Sequence, residues 1–198
     1  MSNLQAITTA LDEELRLTGE EKSIVYSARL FDMEYQVRGE RHLYTDADLV
    51  LLAAAFHGSP RIVEGLFNLD YKVNLFLHGR AALYSVISKA SHAGLLSGEE
   101  SAIETTKAIE FIQLLVDNGA YVEDEHLKQA IRVKNLELVQ YFIVELGADE
   151  EIAVRTRVPG TEEIREWARE WKKVNKLKTK LSSSLNKEAS HASTRNKI

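Results

Sequence analysis

The residues best able to bind a metal or move a proton are six histidines, at positions 42, 57, 78, 92, 126 and 191. Two ligands on one helix face require a step such as His-x-x-x-His, and no two of the six stand at that step. The chain has no cysteine, so a sulfur metal site, a thiolate nucleophile and a disulfide are all excluded, and a reducing compartment suits it. Adjacent acids occur as Glu20 and Glu21, Glu99 and Glu100, Glu150 and Glu151, and Glu162 and Glu163. They read as charges favoured at helix starts or on solvated faces rather than as an acid and base pair. Phosphate-cradling glycine loops, Gly-x-Ser-x-Gly elbows and kinase signatures are missing. The residue types therefore point away from catalysis, cofactors and small-molecule substrates, and toward binding.

The elements that would position a binding surface are helical. Apolar residues recur at helical spacing from Leu4 almost to Leu185, and strand-like alternation is hard to find. The pattern predicts about nine helices and an all-α fold. The first two run from about Asn3 to Leu17 and from Gly19 to Glu34, with Thr18 and Glu21 as a capping box and Ile24, Ala28 and Phe31 as one stripe. Residues 37–45 read as a polar connection. Beyond it the helices pair, and the second helix of each pair follows one pattern. Ile62 and Val63, Phe111 and Ile112, and Leu138 and Val139 open three copies, each followed by a further apolar cluster. Ser59 and Pro60 suit the N-cap and first turn of the first copy. Gly119 and Gly147, each followed by alanine, can end the other two in the left-handed conformation.

These three segments resemble the ankyrin repeat family, whose unit of about 33 residues is a turn plus two antiparallel helices. The resemblance runs from Asp46 to Asp149. It carries the small-residue core of the first helix, as Ala54 and Ala55 before Phe56, His57 and Gly58. The family's Thr-Pro-Leu-His hallmark is not kept: Leu49 to Leu52, Ala81 to Tyr84 and Glu125 to Lys128 stand in its place. What the resemblance implies is an ankyrin-type helical repeat solenoid with capping helices at both ends. Residues 1–45 would form the N-terminal cap, 46–151 the divergent repeats with an insertion at about 90–106, and 152–181 the C-terminal capping helix. Residues 182–198, basic and poor in large apolar groups, are expected to be disordered.

By the same resemblance, the contact surface uses the residues that follow the small core of each first helix: Phe56 and His57, Ser88 and Lys89, Arg132 and Val133. Leu75, Phe76 and Leu77, with His78 beside them, fall where the repeats project a turn. They are either packed beneath Tyr44 or the insertion, or an exposed anchor for a partner. The candidate partner-binding residues are thus Phe56, His57, Leu75, Phe76, His78, Lys89 and Arg132, and the expected function is a non-enzymatic adaptor or scaffold that grips a protein partner.

A second surface comes from charge. Of 25 basic and 30 acidic residues, residues 172–198 hold eight basic and one acidic, which leaves the rest of the chain strongly acidic. Lys172, Lys173, Lys176, Lys178 and Lys180 flank a stripe of Ile164, Trp167, Trp171, Val174, Leu177 and Leu181. Such a helix is either a capping helix with a solvated lysine face or a contact for nucleic acid, anionic membrane or a calmodulin-like groove. The tail also resembles the export signals of some bacterial effectors, so delivery into a host cell is one form of the expectation, with the cytoplasm as the general one. The longest apolar run, Leu49 to Phe56, is far shorter than a bilayer span.

Overall fold

The computed structural model describes residues 3–40, 43–90 and 98–195. All regular structure among them is helical: α1 (Asn3–Leu15), α2 (Gly19–Val37), α3 (Asp46–His57), α4 (Pro60–Asn68), α5 (Leu75–Ala90), α6 (Gly98–Asp117), α7 (Asp124–Arg132), α8 (Leu136–Val144), α9 (Glu150–Arg155) and α10 (Glu162–Arg195). No helix among the described residues is long and apolar enough to cross a membrane.

Local chemistry sets the boundaries. Thr18 and Glu21 form the expected capping box at α2. Thr45 and Asp48 form a second one at α3, each side chain accepting from the other's backbone N–H. α3 is apolar on every side and buries all nine residues from Ala47 to Ala55. Such a helix has to be surrounded, and α1, α2, α4 and α5 enclose it. Three consecutive alanines, Ala53 to Ala55, let those neighbours come close.

The remaining helices lie in two rows. α3 packs on α5, α5 on α7 and α7 on α9, while α4 packs on α6, α6 on α8 and α8 on α10. Two kinds of left-handed residue recur in the links. Gly58 (φ 69°) and Lys134 (φ 57°) lie between the helices of a pair, each just before an N-cap, Ser59 or Asn135. Asp70 (φ 54°), Gly119 and Gly147 end the second helices α4, α6 and α8. Leu115 and Phe142, on adjacent second helices, are both fully buried.

Several expectations are corrected. Leu75, Phe76 and Leu77 are not a projecting turn but the first turn of α5, because the Asn74 side chain accepts from the Leu77 N–H and starts the helix there. The rear of the expected insertion is helical as well, since α6 begins at Gly98; residues 91–97 lie outside the described residues. A short helix, α9, precedes the last one, capped by Asp149 through the Glu151 N–H. α10 does not stop at Leu181 but runs to Arg195, through a segment with neither glycine nor proline to end it. Residues 196–198 of the expected disordered tail lie outside the described residues.

Candidate interaction surface

Side-chain links between units fix which ends of the helices lie together. At one end, the Asp48 carboxylate on α3 accepts from the Asn74 N–H (2.9 Å), just ahead of α5. His78, on α5, donates from Nε2 to the Leu43 carbonyl (3.1 Å), with Asp48 Oδ2 at 3.7 Å and the Tyr44 ring stacked on it at 4.2 Å. Tyr35 stacks on the other face of Tyr44; burial, then the hydrogen bond with Tyr44, pushes its hydroxyl up to about 12. At the next joint, His126 on α7 accepts the Glu123 N–H at Nδ1 (2.9 Å), so Nε2 carries the proton donated to the Arg80 carbonyl of α5 (3.3 Å). Burial pulls the His126 pKa below its ordinary value. At the other end, Lys89 donates to the His57 carbonyl and Gln129 to Ser88 Oγ (3.1 Å). α3, α5 and α7 therefore run the same way, with their C-termini side by side.

The candidate residues divide between these ends. Phe56, His57, Lys89 and Arg132 share the C-terminal end. Phe56 is 60% exposed and stands edge-on to Phe31 and His57. Partial burial, then the Lys89 charge, lowers the His57 pKa. Lys89 arches over the left-handed turn at Gly58, where a Cβ would meet its Nζ at 2.8 Å, so it is a strut between α3 and α5 as well as a surface cation. Leu75, Phe76 and His78 sit at the N-terminal end. Leu75 and His78 are buried and thus removed from any surface contact, whereas Phe76 is 88% exposed. The three neighbouring apolar residues are neither all packed nor all an anchor; the helix turns one inward and the next outward.

Arg132 alone among the seven lines a cleft of about 400 Å³ between α7 and α9. Ile131, Ile152 and Val158 supply apolar walls, and Lys128, Arg132 and Arg155 supply cations. The acids nearby have work of their own. Asp149 caps α9, and Glu151 pairs with Arg155 and Lys172. Lys128 pairs with Glu125 at 2.7 Å, while Arg132 reaches the same carboxylate only at 4.0 Å. The Lys128 hydrogen bond holds Glu125 below the usual carboxylate range against the upward push of burial, with the charges of Lys128, Arg132 and Arg80 adding to it.

Comparison with protein-family models, with curated proteins and with solved structures yields no match. The cleft is therefore read from its own chemistry: a guanidinium loosely held at the rim of an apolar hollow. Sequence reasoning reached Arg132 through the end of α7 but missed Ile152, Arg155 and Val158. Asp149 as an N-cap before two acids was the signal that a short helix follows and brings them opposite Arg132.

Proposed function

We propose that the chain is a divergent ankyrin-type repeat module that binds a partner protein, without catalysis, by seating an acidic and apolar segment of it in the α7/α9 cleft. The observation that carries this reading is the pairing of Arg132, at the limit of ion-pair distance from Glu125, with an open apolar hollow beside it. A guanidinium offers a planar fork that matches a carboxylate, and an adjoining apolar wall rewards a neighbouring aliphatic or aromatic side chain. The repeat part of the reading is supported by the two rows of packed helices and by left-handed residues at corresponding places in successive units. Phe56, His57 and Lys89 lie at the same end as Arg132 and would extend the contact along the row.

Selection from a displayed library of random peptides on the full chain tests it. Enriched peptides are expected to carry Asp or Glu next to an apolar residue, and Arg132→Glu is expected to abolish their capture. Enrichment that ignores Arg132→Glu rejects the cleft.

A second reading, contact with nucleic acid or anionic membrane through α10, is favoured by one observation. Val174, Leu177 and Leu181 are exposed along one side of α10, and Lys172, Lys173, Lys176, Lys178 and Lys180 follow one another along the same stretch of helix. Binding to phosphates by that route would weaken steeply with salt, while a peptide held partly by apolar walls would respond less.

A further inference from the structure

α2 is apolar on two opposite sides. Ile24, Val25 and Ala28 are buried against the rest of the protein. Tyr26, Leu30, Met33 and Val37 are exposed, Leu30 by 68%, Met33 by 62% and Val37 by 90%. Their steps of four, three and four residues are those of a coiled-coil seam, a period of about 3.5 that keeps a stripe facing a second helix. The occupant is therefore a helix. Charges along the stripe say which one. At 100° per residue, Arg29 falls on one edge of it and Glu34 on the other, five positions apart. In two parallel copies related by a twofold axis, Arg29 of each meets Glu34 of the other, twice. An antiparallel pair centred on the stripe would set Arg29 against Gln36 and Glu34 against Ser27, with neither charge paired. Mixed flanking charges also disfavour an anionic lipid surface, which would be met by basic residues alone.

We infer that a second copy of this chain packs its own α2, in parallel, against Tyr26, Leu30, Met33 and Val37, forming a weak homodimer. The buried side of α2 lies opposite the seam, so the two bodies point away from each other and do not collide. Arg29 now lies over the Tyr26 ring at 5.4 Å and Glu34 pairs with Arg38; both are surface contacts that an interface can exchange at little cost. A seam of barely two heptads makes the association weak and concentration-dependent. The inference is independent of the cleft.

Sedimentation velocity of the full chain over a wide concentration range tests it. The natural sequence is expected to move from monomer to dimer, and Leu30→Glu to remain monomeric with an unchanged circular-dichroism melt, since Leu30 contributes little to the folded monomer. Arg29→Glu and Glu34→Arg are each expected to weaken dimerisation several-fold, and the double variant to recover it. A chain that stays monomeric at the highest concentration overturns the inference, as does a dimer indifferent to Leu30→Glu. Single reversals that leave the dimer unchanged, or a double variant that fails to recover it, would overturn the parallel pairing.

Discussion

The joint between α3 and α5 and the joint between α5 and α7 solve one problem with different materials. Each must tie the start of a helix to the unit before it, and each does so with a buried imidazole near that start, donating to a distant carbonyl. His78 reaches Leu43 and His126 reaches Arg80. Around His78 stand the Asp48 carboxylate and the stacked Tyr44 and Tyr35 rings. His126 instead closes the first turn of its own helix by accepting the Glu123 N–H, and is the more completely buried of the two. The element the two joints share is thus a donor to the preceding unit's backbone, while its surroundings differ. Histidines scattered in sequence can therefore be equivalent in the fold, as structural pegs rather than ligands.

The largest effect is expected away from both pegs. Leu115 is fully buried in α6, in the row that packs against the α3, α5 and α7 row tied by the two joints. Leu115→Asp places an unpaired charge there at a cost of several kcal/mol, comparable with much of a domain's stability. Thermal denaturation followed by circular dichroism should show at least α6 and its neighbours unfolded. A melt unchanged from the natural chain would mean the rows do not form one cooperative core.

Next come the pegs. His126→Ala leaves the Arg80 carbonyl and the Glu123 N–H without their partner and is expected to cost about 2 kcal/mol. His78→Ala should cost about 1 kcal/mol more, because it also removes the ring stacked on Tyr44. Urea denaturation of both variants gives the order directly, and the reverse order would break the comparison.

pH sharpens it further. The folded pKa of His126 is depressed by burial, so as pH falls below the unfolded value near 6.5 the unfolded chain binds the proton first. The stability from the neutral imidazole is complete above that value and is lost as pH falls toward the folded one. Urea midpoints should therefore drop between pH 7.5 and 5.5, and drop less in His126→Gln. An equal drop in both chains would assign the effect to other groups. The smallest effect belongs to Phe76→Ala, expected to change stability by about 0.5 kcal/mol or less because the ring is exposed; a much larger loss in the same urea assay would place the ring inside.

Short-range signals carried most of what could be read from the chain alone. Thr18 with Glu21, Pro60 at a first helical turn, and Gly119 and Gly147 at helix ends act within a few residues, and each is where its chemistry puts it. Asp70 fills the place of those glycines at the end of α4, and Lys134 that of Gly58; aspartate adopts the left-handed turn more readily than most residues but far less often than glycine, and lysine does not announce it at all. Thr45 with Asp48, and Asn74, were equally local; they were hidden because residues 37–45 and 75–77 look like connections. The histidine pegs were out of reach, since their acceptors lie 35 and 46 residues away and nothing in the spacing marks them. Half of the cleft was out of reach for the same reason, as α9 meets α7 only through tertiary packing.

Hydrogen exchange with an enriched acidic peptide bound to the full chain tests the central claim most directly. Slowed exchange is expected in α7 near Lys128 and Arg132 and from Asp149 to Val158, with α2 and the outer part of α10 unchanged. Protection of α2 or α10 with none at α7 and α9 would contradict it.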